Sequence, residues 1–301
     1  MGDAAKRAKF AFILLNEHNY KVAEMCRVLH VTRQGYYQWK RRRPSAHAVR
    51  DAELASEISR VWEESRRIYG APKVFRHLSK EGVSTSRKRV ARIMRERGWV
   101  GVSRRCAKSP DNREKRVSRK DGAPDLVKRH FDADGPDQAW FADITYVRTH
   151  QGWLYLAVVM DIWSRMIVGW SMGDRIDARL ADDALRMAIA RRRPQEGCLH
   201  HSDHGSQYAS LVIGKTMRDN GIRPSMGSVD SPWDNAPTES PMGTIKSECV
   251  HAKTYRDREQ AALEIFEYME CFYNRYRIHS ALGYMSPCEF EEAYASQPLA
   301  A

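Results

Sequence analysis

Apolar positions recur at helical spacing over the first part of the chain, then shift near residue 139 to short β-branched and aromatic runs. Val22, Met25, Cys26 and Leu29 fall at i, i+3, i+4 and i+7, which is one helix face. His30-Val31 then leads to Thr32, a favoured N-cap for a second helix over Arg33 to Lys40. Two short helices joined by a tight turn predict a helix-turn-helix-like module over residues 1–43, with Arg33, Gln34 and Tyr37 near the start of its second helix. A second helical module spans residues 44–100. Tyr69-Gly70-Ala71-Pro72-Lys73 opens its clearest part, Gly82 supplies a turn, and Ser86 caps a helix over Arg87 to Arg97. Val90, Ile93 and Met94 form that helix's apolar face. Residues 101–132, polar, basic and broken by Pro110 and Pro124, read as a linker.

The second half has a different rhythm. Ala139 to Thr149, Trp153 to Asp161 and Met166 to Ser171 read as strands with short turns between them, so they form an antiparallel meander. A helix over Ala178 to Arg191, a short strand over Cys198 to His201, a helix over Ser210 to Asn220 and a strand over Ile222 to Met226 follow. Asn235 to Glu248 and Arg258 to Tyr276 read as helices. Three hairpinned strands followed by alternating helix and strand describe an α/β mixed sheet with flanking helices over residues 133–290, with 291–301 as a tail. The order resembles that of RNase H-like folds.

Charge sharpens this division. Residues 1–130 carry 33 Lys and Arg against 14 Asp and Glu, whereas the remainder carries 17 against 24. A polyanion-binding front half joined to a mildly acidic back half fits a nucleic-acid partner. Arg33 and Gln34, and Arg87, Lys88, Arg89 and Arg92, are the candidate DNA contacts. The six cysteines are scattered without a CxxC pair, which argues against a zinc site or a disulfide framework. No apolar run approaches the ~20 residues of a membrane span, and Phe10 to Leu15 is short for a signal-peptide core. A cytoplasmic protein with no membrane partner is expected.

Three carboxylates carry the chemistry. Asp143 lies mid-strand among apolar residues, where a charge is costly unless paired or metal-bound. Asp203 follows a short strand, at the kind of strand end where α/β sheets gather ligands. Glu239 lies near the start of a helix, 35 residues beyond Asp203. Magnesium prefers hard oxygen ligands, and two such ions can serve the attacking and leaving oxygens of an in-line displacement. Lys246, seven residues after Glu239, would share a helix face with it and could hold a DNA phosphate.

These residues sit in stretches that resemble the second-reading-frame product of insertion-sequence-3 (IS3) family transposases, with a core similar to retroviral integrases. The matching stretches are 140–146, Gly152 to Leu156, Val168 to Ser171, His201-Ser202-Asp203 with Gly205 to Tyr208, Asp234-Asn235-Ala236 and Glu239-Ser240. Lys246, Tyr273-Asn274, Arg277, His279-Ser280 and Ser286-Pro287 continue them, and Tyr36-Tyr37, Trp39 and Tyr69-Gly70 match near the N-terminus. Ser231-Pro232-Trp233 and Pro241-Met242 depart from the pattern.

The resemblance implies a DNA transposase and integrase with a catalytic triad of Asp143, Asp203 and Glu239, assisted by Lys246. It implies two Mg2+ ions, replaceable by Mn2+, and metal-dependent cleavage at element ends followed by strand transfer. The implied route is copy-out, paste-in through a circle. The partners it implies are terminal inverted repeats, target DNA, an upstream-frame product joined by a frameshift, and further copies of this chain at the nucleoid. The rival readings are a catalytically inactive DNA-binding regulator of transposition and a structure-specific nuclease on the same fold.

Other residues read as structural. Asp161 supports a turn, Asp234-Asn235 caps a helix, and Trp140, Trp153 and Trp170 belong to the core. His200, His201 and His204 lack zinc spacing, although a histidine near Asp203 could orient a ligand or contact DNA. Asn274, Arg277 and His279 either contact DNA or pin the C-terminal segment.

Overall fold

The computed structural model describes residues 3–41, 45–102, 133–203, 205, 207–208, 210–226 and 242–296. Two compact units are present, Met1–Glu57 and Ile58–Ala301. Most of the predicted linker, the last residues of the tail, and Asp234, Asn235 and Glu239 lie outside the described residues.

The first unit contains α1 (Asp3–Asn16), α2 (Val22–Val28), α3 (Arg33–Lys40) and the start of α4 (Ala46–Glu64). Its core is Phe10, Ile13, Met25, Cys26 and Tyr36. His30 takes a left-handed conformation (φ 52°), and the Val31 N–H returns to Cys26 O at 3.0 Å, which ends α2. Thr32 Oγ1 then accepts from Gly35 N at 3.1 Å and starts α3. Arg33 and Gln34 are exposed at this N-terminus. Lys6, Arg7, Gln34, Tyr37, Trp39 and Arg41 line a cleft between α1 and α3.

In the second unit, α5 (Ala71–Lys80) packs on α6 (Arg87–Arg97), burying Val74, Leu78, Val90, Ile93 and Met94. Ser86 caps α6 by accepting from Arg89 N, and Gly98 closes it at φ 71°. Tyr69, fully buried, ties this helical pair to the C-terminal part of the chain. Its hydroxyl accepts from Ile278 N at 2.8 Å and donates to Tyr276 O at 3.1 Å. Lys80 adds a salt bridge to Glu289.

The sheet has five strands: β1 (Ala139–Thr149), β2 (Gly152–Asp161), β3 (Ile167–Gly173), β4 (Leu199–Ser202) and β5 (Arg223–Met226). Their order is β3-β2-β1-β4-β5; the first three pair antiparallel, while β4 joins β1 and β5 joins β4 in parallel. Pro224, which cannot donate to a ladder, sits on the edge strand β5. One face of the sheet packs on α7 (Ala178–Arg192) and α8 (Leu211–Asp219) through Trp140, Ala142, Ala157, Val159, Leu185 and Ile213, among others. Gly169 lets β3 meet α7 closely, since a Cβ there would lie 2.2 Å from Ala184 O.

After β5, residues 242–245 are α-helical and run into a π-helical turn, Lys246–Val250. Helix α9 (Arg258–Glu267) likewise ends in a π-helical turn, Tyr268–Tyr273. A last helix, α10 (Pro287–Ala295), carries a capping box between Ser286 and Glu289, a signature present in the sequence where no helix was expected.

Candidate functional site

The parallel pairing of β1 and β4 builds the site. Phe141 faces His201 in register, and their rings meet edge-on at 5.2 Å. Asp143 lies two residues beyond Phe141 on β1, and Asp203 two residues beyond His201, just past the end of β4. Neighbouring strands run about 4.8 Å apart, so the two carboxylates lie side by side at one end of the pair. Side chains alternate along β1, which turns Asp143 away from the Trp140–Ala142 core face.

Lys246, the first residue of the π-helical turn, donates to Asp143 Oδ2 at 2.8 Å. Both side chains are partly exposed, 26% for Asp143 and 32% for Lys246, so the pair faces solvent rather than closing into the core. The Asp203 carboxylate accepts from Gly205 N at 2.9 Å. A Cβ on Gly205 would lie 2.8 Å from that same Oδ1, so glycine here leaves room for the carboxylate. Asp143, Asp203 and Lys246 therefore meet in one corner, while Glu239 lies outside the described residues. Among the described residues no cluster of three His, Cys, Asp or Glu could hold a metal ion. Two adjacent carboxylates suit a hard divalent cation, and the Lys246 ammonium already offers positive charge to one of them.

The residues around this corner are packed inside. His200 and His201 are both buried, which removes them as DNA contacts. Burial, then the charge of His201, brings the His200 pKa down to about 4, so its ring is neutral. His201 Nδ1 pairs with Ser225 Oγ at 3.0 Å. Tyr208 is buried against His200, and its hydroxyl has no hydrogen-bond partner among the described residues. Its pKa is raised well above the usual value, first by burial and then by the charges of Asp143 and Asp203. His204 lies outside the described residues.

Asp161 does support a turn: it accepts from Ser164 N (2.8 Å), Ser164 Oγ (2.9 Å) and Asp137 N (2.9 Å). Burial raises its pKa to about 6. Asn274, Arg277 and His279 are buried and pin the C-terminal segment. Asn274 bonds both backbone groups of Ile167 in β3. Arg277 grips Glu248 through Nε–Oε2 (2.7 Å) and Nη2–Oε1 (2.6 Å), and Tyr268 OH donates to the same carboxylate at 2.8 Å. Glu248, two residues after Lys246, was missed from the sequence, because no local spacing announces a partner 29 residues away.

The expected DNA contacts on α6 differ among themselves. Arg87 and Lys88 are exposed; Arg89 and Arg92 are half-buried, and Arg92 pairs with Glu96 at 3.0 Å. The tryptophans also divide. Trp140 is core and Trp170 is half-buried with Nε1 donating to Glu270, but Trp153 is 46% exposed, contrary to its expected place in the core. It sits beside the turn of the β1–β2 hairpin, outside the core cluster that α7 covers.

Comparison with known proteins gives concordant matches. Residues 133–232 and 239–294 match two families, each described as an integrase core domain, and residues 49–106 match an HTH-like domain. The chain is similar to the transposase InsF for insertion sequence IS3A of Escherichia coli K12, at 39% identity over 289 residues, covering 94% of this chain and 98% of that one. An IS600 insertion-element protein of 31 kDa from Shigella sonnei matches at 38% identity, covering 90% of this chain and 98% of its own length. Among solved structures, the HTLV-2 integrase catalytic core domain in complex with magnesium aligns with a TM-score of 0.42 at 14% identity, covering 53% of this chain and 99% of that chain. No helix among the described residues is long and apolar enough to cross a membrane.

Proposed function

Because this chain belongs to the IS3 family of transposases, we propose that it cuts DNA at the ends of its element and joins the released strand to new DNA. The observation that carries this reading is the corner where Asp143 and Asp203 flank each other with the Lys246 ammonium on Asp143. In this reading Asp143, Asp203 and Glu239 supply the oxygens that hold two Mg2+ ions, with Mn2+ able to substitute. The cations, when bound, activate the attacking oxygen and stabilise the leaving one.

Water attacks the phosphorus at the element end, the bond to the 3′ oxygen breaks, and a 3′ hydroxyl leaves. That hydroxyl then attacks a second phosphodiester, whose own 3′ oxygen departs as a new phosphodiester forms. Lys246 shifts from Asp143 onto a phosphate oxygen and holds the strand against the carboxylates. The Asp143 and Lys246 side chains are partly exposed, which leaves them open to a DNA strand. Arg33 and Gln34 on α3, and Arg87, Lys88, Arg89 and Arg92 on α6, bind terminal repeats and fix the register of the duplex. The chain works as an assembly of several copies with the upstream-frame product, in the bacterial cytoplasm.

The test is strand transfer on labelled terminal-repeat DNA, in magnesium and in EDTA. Asp143→Asn should abolish cutting and joining while DNA binding persists. Retained strand transfer by the Asn variant in magnesium would end this reading. Cutting without joining by the wild type would make the protein a nuclease.

A further inference from the structure

The outer face of α3 carries side chains to which the fold gives no task. Arg33, Gln34, Tyr37 and Gln38, with Arg41 directly after the helix, fall at i, i+1, i+4, i+5 and i+8, which is one side of a helix, and all are exposed. Among the described residues, no side-chain hydrogen bond or ion pair holds them. The other side of α3 is used up: Tyr36 fills the core and Lys40 pairs with Glu17. Lys6 and Arg7 of α1 border the cleft that Gln34, Tyr37, Gln38 and Arg41 line, and no carboxylate among the described residues lines it.

Charge decides the class of partner, and the amides decide what is read. Arg33 and Arg41 put cations at the two ends of the face, and Lys6 and Arg7 put them along one flank, which complements a phosphate backbone. The major groove of DNA, about 12 Å wide, admits one helix. Lysine and arginine offer donors alone and so suit phosphate oxygens, which are acceptors alone. A glutamine amide offers a carbonyl acceptor beside an NH2 donor, and against phosphate its acceptor goes unmade. In the major groove adenine shows the matching pair, an N7 acceptor beside an N6 donor. Guanine shows acceptors only, cytosine a donor only, and thymine an acceptor and a methyl group. Gln34 and Gln38 stand four residues apart on one face, about 6 Å along the helix axis. That spans about two base-pair steps of about 3.4 Å each.

We infer that Gln34 and Gln38 each read an adenine in the major groove, the two adenines lying about two base pairs apart, while Lys6, Arg7, Arg33 and Arg41 hold the flanking phosphates. This rests on the reading of α3 as a DNA-binding helix and adds the base that the helix selects.

The test is selection of bound duplexes from a random pool by the full-length protein, then titration of the selected duplex. The wild type should select two adenines about two base pairs apart. Gln34→Ala and Gln38→Ala should each relax the selection at one of them and weaken binding to the selected duplex roughly tenfold. Both should leave the melting temperature unchanged, because both side chains are exposed. Replacing either adenine by 7-deazaadenine, which lacks N7, should cost the wild type the same factor and cost nothing in the variant that lacks the glutamine facing it. Gln34→Lys should turn the selected adenine into guanine. Alanine variants that select as sharply as the wild type overturn the proposal. So does equal weakening on every sequence, which would place the amides on phosphates, and so does loss of self-association with selection intact, which would make the face a protein contact. Asp143→Asn separates this inference from the proposed function: it should select the same adenines while losing cutting. A wild type that selects the adenines but neither cuts nor joins DNA ends the proposed function and leaves this inference standing. Normal cutting and joining, with selection unchanged in both alanine variants, ends this inference alone.

Discussion

Replacing Arg277 by methionine should be among the most destabilising single changes in this protein. Arg277 and Glu248 are only 7% and 8% exposed, and two short hydrogen bonds join the guanidinium to the carboxylate. Burial works against the arginine's charge, yet the bonds and charge of Glu248 hold its pKa above the ordinary arginine value. Methionine keeps the apolar stem but leaves the Glu248 carboxylate buried, with the Tyr268 hydroxyl as its remaining described donor. Breaking a buried pair in this way costs about 3–5 kcal/mol. Removing both charges, as Glu248→Met with Arg277→Met, should bring stability back to within about 1–2 kcal/mol of wild type, because no unpaired charge remains. Urea unfolding with linear extrapolation measures all four proteins, and their m-values should agree. A single-variant cost under about 1 kcal/mol, or a double variant that costs the sum of the singles, would refute the argument. The consequence reaches the site, since Glu248 and Lys246 share one π-helical turn. Strand transfer should fall in Arg277→Met beyond what the loss of folded protein explains.

Three further outcomes follow from particular contacts. Tyr69→Phe keeps the buried ring but removes the acceptor of Ile278 N, which should cost about 1–3 kcal/mol in urea unfolding; a change under about 0.5 kcal/mol would show that the hydroxyl does not bind the helical pair to the C-terminal segment. Gly205→Ala places a methyl against the ends of the Asp203 and Gln207 side chains, so strand transfer should drop sharply while the melting temperature moves little; normal activity would mean the Asp203 carboxylate need not hold its present position. His279 is driven by burial, then by the charge of Arg277, to a pKa of about 2, below its unfolded value near 6.5. The unfolded chain therefore binds a proton first, and stability is lost as pH falls below about 6.5, by about 1.4 kcal/mol per unit. In His279→Gln the dependence of unfolding free energy on pH between 6 and 4 should be shallower by about that amount, and an unchanged slope would show that the ring is not held neutral.

Much of this architecture can be read from local pattern. Thr32 and Ser86 are polar caps placed before apolar-periodic runs, and both caps form as expected. Alternation and turn residues announced β1, β2 and β3, because side-chain direction along a strand follows from neighbouring residues alone. Asp143 and Asp203 were candidates because a charge in an apolar strand, or just past a strand's end, is costly without a partner.

What periodicity cannot express is which distant segments share a dielectric environment. Trp153 and Trp140 both look like core in sequence, yet one lies outside the cover of α7 and the other beneath it. Arg277 offered DNA contact and burial equally until Glu248 came to meet it from 29 residues away. The sequence by itself determined most of the helices and the strands, and it made the acidic residues candidates for metal chemistry, since these depend on spacing along one chain. The parallel insertion of β4 beside β1, the Lys246–Asp143 pair and the exposure of the hairpin aromatics were decided by tertiary structure, because burial and Coulomb energy depend on distance in space.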